Sequence, residues 1–217
     1  RRIIEKELGS NSADKTRVVL NQGKPIASAS LGQVYRANLK TEGGENIDVA
    51  VKVQRPGALV AISLDIGIIR SFAEPWRKFK GLNSDLEGII DEWGKRFIAE
   101  LDYLAEARNG QLFREAMESR QDLANVVTAA PVYTSATTRK VLTTGWINGA
   151  RLDESKEGDI PKLCAVALTA YLSMLLDLGF LHADPHPGNL FRQNDGKLVI
   201  LDWGLVTPVS KELSASI

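Results

Sequence analysis

The stretch HADPHPGNLFRQNDGKLVILDWGL, residues 182–205, holds both histidines of the chain and decides how the rest is interpreted. His182 and His186 stand four residues apart, which on a helix would suggest a metal pair. Pro185 and Pro187 exclude a regular helix between and after them, so a zinc site is not expected. The stretch is instead predicted to be a proline-fixed loop, followed by a turn at NDGK and an apolar strand at LVILDWG.

Three oxygen-bearing side chains project from this stretch. Asp184 and Asn189 belong to the loop, and Asp202 stands at the end of the apolar strand. Hard oxygen ligands of this kind suit Mg²⁺, which binds few carboxylates and completes its shell with water and phosphate oxygens. The pattern therefore predicts a magnesium and phosphate site. The alternative is a solvated turn in which the same side chains cap the backbone.

Composition limits the class of protein. The 217 residues are 44% hydrophobic and 25% charged, with 27 basic and 27 acidic side chains, so we expect a globular protein and no nucleic-acid partner. A single cysteine, Cys164, excludes a disulfide framework and is expected in the core. The apolar run around it, residues 164–176, is too short to span a bilayer and predicts a buried helix, so no transmembrane segment is expected here.

The order of hydrophobic patterns predicts an α+β layout in two lobes. Residues 25–54 predict an antiparallel meander, with a hairpin loop at KTEGGEN that Gly43 and Gly44 permit. One helix is predicted from residue 59 to 80, with an apolar stripe at Leu59, Ile62, Ile66, Ile69 and Phe72. A second is predicted from residue 84 to about 118, capped by Asn83 or Ser84 and running about nine turns with a bend at Gly94 or Gly110.

After these helices the pattern predicts strands within residues 126–133 and 139–147. Residues 148–154, NGARLDE, are predicted to form a turn and linker. A helix is then expected from residue 160 to its end at Gly179, ahead of the loop at residues 182–189.

Five separated motifs together resemble a known family. HADPHPGN at residues 182–189 matches the protein-kinase catalytic loop H-R-D-x-x-x-x-N, and DWG at 202–204 stands where kinases carry D-F-G. VAVKVQRPG at residues 49–57 contains Lys52. Two more motifs are an alanine-containing loop, formed by Ala27, Ser28, Ala29 and Ser30, and a Glu-x-Asp motif, formed by Glu100 and Asp102. Together the motifs make residues 24–207 similar to the UbiB or aarF type of atypical kinase-like proteins. The segments ISLDIGIIR and VLTTGWINGARL most resemble the photosynthetic group of that family.

The resemblance implies a protein-kinase-like fold. Residues 1–145 would form the N-terminal lobe, with an antiparallel sheet, two helices, a nucleotide lid and a Lys/Glu pair. Residues 146–217 would begin the C-terminal lobe, with the catalytic loop and the metal-binding Asp-Trp-Gly. The C-terminal lobe would be incomplete in this chain.

The resemblance also implies site roles, with ATP and Mg²⁺ as cofactors. Asp184 and Lys52 would be catalytic, and Asn189 and Asp202 would hold the metal. The nucleotide would be bound by the alanine-containing loop together with Lys52 and Glu106. The loop's methyl and hydroxymethyl groups add bulk where a glycine-rich loop would let backbone N–H groups reach phosphate, so the nucleotide would sit differently.

Helical spacing adds one expectation about the acidic residues. Asp102, Glu106 and Asn109 lie four and three residues apart and share one helix face, whereas Glu100 lies about 120° away and is expected to do a different job. In the family, Glu100 and Asp102 would meet a segment from an N-terminal extension. Trp203 is expected to need a partner for its N–H if it is buried.

The function implied is an ATP- and Mg²⁺-dependent atypical kinase or ATPase domain, linked to isoprenoid quinone biosynthesis or lipid homeostasis. The alternative is a nucleotide-binding, pseudokinase-like regulatory module. Small-molecule kinases share the H-x-D-x-x-x-x-N loop but fit the other motifs less well. Peripheral membrane or prenyl-lipid contact would be made through regions outside this chain. By resemblance, the compartment would be the plastid, the mitochondrion, or the bacterial cytoplasm and membrane periphery.

Overall fold

The computed structural model describes residues 2–9, 17–21, 23–28, 31–41, 43–81 and 84–209, and its first sheet is antiparallel. After helix α1 (Arg2–Leu8), the sheet is built from five strands: β1 (Arg17–Leu20), β2 (Ala27–Ser28), β3 (Gly32–Lys40), β4 (Asn46–Gln54) and β6 (Val141–Gly145). The strand order is β1-β3-β4-β6, with β2 paired to β3. The expected meander of residues 25–54 is therefore confirmed.

Alternation of side chains explains why β3 and β4 form the centre of this sheet. Ala37 and Leu39 on β3 and Val49 and Val51 on β4 are all at most 1% exposed, while the residues between them point to the opposite face of the sheet, as the two-residue period of a strand requires. The hairpin between the strands turns at Gly44, whose φ of 82° lies in the left-handed region. The predicted hairpin loop is where the sequence places it.

Three helices follow β4, where two were predicted. They are α2 (Ala58–Lys80), α3 (Leu86–Ala99) and α4 (Tyr103–Glu118). The predicted long second helix is wrong because the chain breaks at residues 100–102 and not at Gly94 or Gly110. Asp102 starts α4 by accepting hydrogen bonds from the backbone N–H groups of Leu104 and Ala105, as an N-cap residue does.

The start of α3 also differs from the expectation. Asp85 is the N-cap, and its carboxylate accepts a hydrogen bond from Gly88 N–H. The predicted cap Ser84 does not hold that position, and Asn83 lies outside the described residues. Both candidates precede the true cap by one or two residues, within the usual spread of helix ends.

Helices α2 and α3 form an antiparallel hairpin with much apolar surface in solvent. Ile66 lies against Gly94, and Arg70 pairs with Asp91 at 2.8 Å. The predicted helix is confirmed, but its apolar stripe is largely uncovered, since Leu59, Ile69 and Phe72 are 53%, 56% and 66% exposed. A periodic apolar stripe shows that one side of a helix is apolar but not that this chain covers it.

The second sheet mixes strands from distant parts of the chain. It contains β5 (Val127–Ala129), β7 (Gly149–Arg151), β9 (Leu190–Gln193) and β10 (Leu198–Ile200), in the order β5-β10-β9-β7. Strands β5 and β10 are parallel, and the other pairs are antiparallel. The predicted linker at residues 148–154 therefore contains a strand, because β7 pairs with β9. Strand β5 belongs to this second sheet, whereas β6, the next strand along the chain, belongs to the first sheet. The predicted division into two lobes at residue 145 stays a prediction.

Helix α5 (Ile160–Ser173) continues through a π-helical turn, Met174–Leu178, to Gly179, whose φ is 70°. The predicted end at Gly179 is confirmed. Strand β8 (Phe180–His182) follows and pairs with β11 (Val206–Pro208). The loop at residues 183–189 and the Asp-Trp-Gly motif thus leave the same two-stranded ribbon.

One face of α5 packs into the core beneath the second sheet, with Leu163, Ala167, Ala170 and Met174 all at most 6% exposed. Cys164 lies on the other face and is exposed, so its predicted core position is wrong. Within the described residues, one helical stretch, Ile160–Leu178, is long and apolar enough to cross a membrane by length and composition alone. The absence of a transmembrane segment stays a prediction.

Candidate functional site

Lys52 forms the central ion pair of the candidate site. Strand β4 presents its side chain opposite Leu142 of β6, and α4 presents Glu106 from its first turn. The Lys52 Nζ lies 2.8 and 2.9 Å from the two carboxylate oxygens of Glu106. The same Nζ lies 3.3 Å from both oxygens of Asp202. Groups far apart in sequence therefore meet at one ammonium.

Burial sets the electrostatics of this pair. Glu106 is only 4% exposed, and burial raises its pKa to about 7 against the opposing effect of the Lys52 ammonium. Burial alone would lower the pKa of Lys52, but the carboxylates of Glu106 and Asp202 outweigh it and raise that pKa above its ordinary value. Lys52 is thus charged at neutral pH and held between two carboxylates.

The loop after β8 is ordered by its own side chains. Asn189 Nδ2 donates to the Asp184 carboxylate at 3.2 Å and to the Asp184 carbonyl at 3.3 Å. His186 Nδ1 accepts from Gly188 N–H at 2.9 Å, within a 3-10 turn that Pro187 begins. The prolines and these bonds hold Asp184 and Asn189 side by side at the opening of the loop.

His182 ties that loop to the Asp-Trp-Gly motif. Its Nε2 lies 2.7 Å from the Asp202 carbonyl oxygen and so carries the hydrogen, and its Nδ1 accepts from Asp184 N–H at 3.2 Å. Both ring nitrogens are engaged and the ring is 1% exposed. His182 thus uses both ring nitrogens in hydrogen bonds, and the absence of a zinc site stays a prediction.

Asp202 adopts a backbone conformation that few residues other than glycine take. Its φ is 58°, and among the described residues no other non-glycine has a positive φ. Such a conformation costs on the order of 1–2 kcal/mol, although aspartate tolerates it better than most side chains. The bond from His182 to the Asp202 carbonyl and the bond from Gly204 N–H to its carboxylate at 3.3 Å offset that cost. The carboxylate is thereby directed toward Lys52.

Trp203 is enclosed on all sides. It is 5% exposed, and its Nε1–H donates to the Ile200 carbonyl at 3.1 Å, so the predicted partner for a buried indole is confirmed. Its ring contacts Phe113 and His182, with centroids 4.5 and 5.0 Å away. On α4, a methyl group at Gly110 would lie 2.9 Å from the indole. Asn109 donates to the Trp203 carbonyl at 3.0 Å.

A cavity of about 430 Å³ opens between the two sheets. Lys52, Glu106, Asn189 and Asp202 line its polar part. The rest of its wall is mainly apolar and comes from both sheets and their connector, including Ile26, Val34, Ala50, Leu142, Ile147 and Ile200. These four predicted residues thus line one cavity together, and that cavity has an extended apolar wall.

The remaining predicted residues lie around this cavity. Ala27 and Ser28 form β2, and Ala27 lines the cavity; Ala29 and Ser30 lie outside the described residues. Asp102 caps α4 and pairs with Arg139 at 3.4 Å. Asp102 therefore serves the helix start as its N-cap, while Glu106 and Asn109 both lie on α4. The shared helix face predicted for the three residues stays a prediction.

Glu100 turns toward the site, in the break between α3 and α4. Its Cγ lies 4.0 Å from the position that a Cβ on Gly204 would take. Partial burial raises the pKa of Glu100, and the nearby Asp202 carboxylate raises it further. Glu100 thus faces the same acidic region as Asp202, although it does not lie on the helix that carries Glu106.

Sequence reasoning missed three residues that shape the site. Tyr103 lies beneath Lys52, whose Nζ is 5.2 Å from the ring centroid, and its hydroxyl occupies the place of a side chain on Gly32. That hydroxyl is buried without a hydrogen-bond partner in the described part of the chain. Gly110 makes room for Trp203, and Trp146 lines the cavity. Only the aromatic character of Tyr103 and Trp146 beside recognised motifs could have suggested them.

The whole chain, residues 1–217, matches the profile of the ABC1 atypical kinase-like domain. It is 43% identical over 190 residues to an uncharacterized aarF domain-containing protein kinase, chloroplastic, of Arabidopsis thaliana. It is 40% identical over 195 residues to the protein ACTIVITY OF BC1 COMPLEX KINASE 3, chloroplastic, of the same plant. These matches cover 88% and 87% of this chain but 26% of each relative.

Two further matches extend the comparison to bacteria. An uncharacterized Synechocystis protein is 42% identical over 215 residues, covering 96% of this chain and 30% of that protein. Among solved structures, Mycobacterium tuberculosis Rv3197, determined with erythromycin, superposes with a TM-score of 0.73 at 29% identity, covering 96% of this chain and 51% of that one. The chain thus spans about half or less of these relatives, which are chloroplastic or bacterial proteins.

Proposed function

Because the chain belongs to the ABC1 atypical kinase-like family, we propose that it binds ATP with Mg²⁺ and transfers a phosphoryl group. The observation that carries the proposal is the shape and chemistry of one cavity. An apolar wall of Val34, Ala50 and Leu142 suits a nucleobase, and a cation with three oxygen-bearing side chains occupies the other part. A nucleoside triphosphate has the same division between an apolar ring and an anionic chain.

Lys52 is the proposed phosphate ligand. Its ammonium is charged, positioned by Glu106 and only 23% exposed. A lysine held this way can bind α- and β-phosphate oxygens and neutralise charge that develops during transfer. Incoming phosphates would compete with Asp202 for the same ammonium, since Asp202 is the more distant and more exposed of its two partners.

Asp202 and Asn189 are the proposed Mg²⁺ ligands. The Asp202 side chain is 47% exposed and lines the cavity, and the Asn189 amide oxygen is available while its nitrogen donates to Asp184. Among the described residues no group of three His, Cys, Asp or Glu side chains could hold a metal by itself. This fits Mg²⁺, which keeps several waters and shares phosphate oxygens. When bound, the ion would stabilise negative charge on the phosphates.

Asp184 is the proposed group that orients or deprotonates the acceptor. Its carboxylate is exposed at the opening of the loop and fixed by Asn189. No shared bond ties it to Lys52, so its role can be separated from nucleotide binding. On the family resemblance alone, we also propose a link to isoprenoid quinone biosynthesis or lipid homeostasis, in a plastid or bacterial setting.

The test of this function uses the intact protein. Mg-ATP at about a hundred times its dissociation constant should raise the free energy of unfolding by about 2.7 kcal/mol. Lys52→Met should remove most of this stabilisation and weaken ATP binding measured by calorimetry. Lys95→Met is the matched control, because Lys95 is an exposed lysine on α3 with 77% of its side chain in solvent. A wild-type protein that does not bind Mg-ATP would contradict the proposal.

Asp184→Asn separates binding from transfer. Because Asp184 would act on the acceptor, the variant should keep its Mg-ATP affinity within about twofold and lose phosphate release or incorporation by a factor of about 10² or more. Loss of binding in this variant would show that its role is wrongly assigned. If the wild type binds ATP but shows no turnover, the regulatory, pseudokinase-like alternative is the better account.

A further inference from the structure

Trp146 lies in the short connector between the two sheets. Strand β6 ends at Gly145 and β7 begins at Gly149, so residues 146–148 join the sheets at the edge of the cavity. Trp146 lines the cavity together with Ile147 of the connector. Trp146 stands four residues after Leu142, the strand partner of Lys52, and so lines a part of the wall away from Lys52.

Two residues of the β3–β4 hairpin fix Trp146 in place. The Trp146 backbone N–H donates to the Asp48 carbonyl at 3.0 Å. The guanidinium carbon of Arg36 lies 4.6 Å from the centroid of the Trp146 ring, within range of a cation–π contact. Arg36 itself forms an ion pair with the Asp48 carboxylate. The connector is thus held to the first sheet through both its backbone and its indole.

An aromatic ring fixed in this way is suited to stacking. Its rotamer is already restricted, so binding a flat ligand ring costs little additional side-chain entropy. The cavity that Trp146 lines has a mainly apolar wall, which includes Ile26, Val34 and Ala50. The available aromatic surface favours a two-ring base over a one-ring base, because stacking increases with the overlapping area.

We propose that Trp146, held by Arg36 and Asp48, is the residue that makes the cavity selective for a purine nucleotide. The proposal rests on the nucleotide-binding function proposed above and assigns its base specificity. Lys52 at the other end of the cavity would bind the phosphate chain whatever the base. Trp146 should therefore affect the dependence of affinity on the base and leave phosphate recognition unchanged.

The experiment compares three ligands on the intact protein by calorimetry: Mg-ATP, Mg-CTP and Mg-tripolyphosphate. Trp146→Ala should weaken Mg-ATP binding about tenfold or more, since base–aromatic stacking is worth roughly 1–3 kcal/mol. It should reduce the ATP-to-CTP preference and leave tripolyphosphate affinity within about twofold of wild type. Trp146→Phe, which keeps one aromatic ring, should recover part of the preference. Trp93→Ala removes an indole that is 63% exposed on α3 and should change none of the three affinities.

Four outcomes decide between the proposals. A Trp146→Ala protein that keeps the wild-type ATP-to-CTP preference overturns the role of Trp146. A variant that loses tripolyphosphate and ATP equally also overturns it, because the indole would then support the fold of the site and not the base. A wild-type protein that binds tripolyphosphate but prefers neither nucleotide contradicts base selection and leaves phosphate binding intact, whereas no binding of any ligand contradicts the proposed function itself.

Discussion

The protonation of Glu106 links the candidate site to the stability of the fold. Its pKa is raised by burial to about 7 in the folded protein, against an ordinary value of 4.5. Between these two pH values the folded protein binds more protons at Glu106 than the unfolded chain does. The free energy of unfolding contributed by this group therefore falls as pH rises through that window. Lys52 contributes nothing to the change there, because its raised pKa acts only above the ordinary lysine value.

Glu106→Gln should remove this dependence while keeping the shape of the side chain. We expect the unfolding free energy of the wild type, measured relative to that of the variant, to fall by on the order of 2 kcal/mol from pH 5 to pH 7. The wild type is thus relatively more stable at the acidic end. Denaturant titrations at several pH values measure it. A difference that stays constant with pH would show that Glu106 keeps its ordinary pKa, and Glu87→Gln at the start of α3 is the control.

At this scale the pair of Lys52 and Glu106 could be predicted from the family motifs, and the contacts of residues outside the motifs could not. The motifs singled out Lys52, Asp184, Asn189 and Asp202; the structure places Lys52, Asn189 and Asp202 at one cavity, and their roles in phosphate and metal chemistry stay predictions. Tyr103, Gly110 and Trp146 matter only through the segment each one touches. Tyr103 contacts Gly32 and Trp146 contacts Arg36, and in both pairs the two residues are far apart in sequence. Neither hydrophobic periodicity nor motif spacing predicts contacts of this kind.

The fit of α4 against the Asp-Trp-Gly motif makes a prediction about packing between elements. A methyl group on Gly110 would lie 2.9 Å from Cδ1 and 3.3 Å from Cγ of Trp203. Gly110→Ala should therefore destabilise the fold by about 1–3 kcal/mol through overpacking, reduced by the better helix propensity of alanine. Gly67→Ala on α2 is the matched control, because nothing lies within 4 Å of its Cβ position; that change should stabilise by roughly 0.5–1 kcal/mol.

Trp203→Phe supplies the second half of this test. The smaller ring should relieve the clash, although it loses the indole bond to the Ile200 carbonyl. We expect the double variant to lose at least about 1 kcal/mol less unfolding free energy than the two single variants lose together, because substitutions at residues in contact are usually not additive. Additive losses in thermal unfolding would mean that the cost of Gly110→Ala does not come from its contact with the indole.

Elements with a strong local signal could be predicted from the sequence, and their interruptions could not. The β3–β4 hairpin and the end of α5 at Gly179 carry turn chemistry that acts locally. The break before α4 was missed because the apolar period of residues 90–104 continues through it, while the decisive signal is the capping carboxylate of Asp102. Strand β7 was missed because GAR has no strand pattern and becomes a strand only by pairing with β9.

On the scale of the whole molecule, the site depends on bringing two sheets together. The first sheet supplies Lys52, the loop after β8 supplies Asn189, and Asp202 follows the last strand of the second sheet. Helix α4 supplies Glu106 and contacts both β5 and β6. The two-lobed α+β arrangement could be predicted from element order and motif resemblance. The assignment of β5 and β6 to different sheets could not be predicted, because both are short segments with β-branched residues and only eleven residues separate them.

Asp202 follows the last strand of the second sheet and contacts Lys52 of the first sheet. This position leads to a prediction about how ATP binding depends on Mg²⁺. Without Mg²⁺ its carboxylate would repel the phosphates of ATP, and with Mg²⁺ it would hold the ion that attracts them. Asp202→Asn removes both effects. We expect its metal-free ATP affinity to equal or exceed that of wild type and its Mg-ATP affinity to fall, so that the gain in affinity on adding Mg²⁺ drops at least about tenfold, which is about 1.4 kcal/mol.

Calorimetry with and without Mg²⁺ measures this ratio directly, with Asp195→Asn, in the turn before β10, as the control. Asp202 also shares the Lys52 ammonium, but Glu106 holds that ammonium more closely and should keep it in place when Asp202 becomes neutral. Equal loss of affinity with and without metal would therefore point to a displaced Lys52. An unchanged ratio would place the metal on other ligands, and the left-handed backbone of Asp202 would then need an explanation other than metal binding.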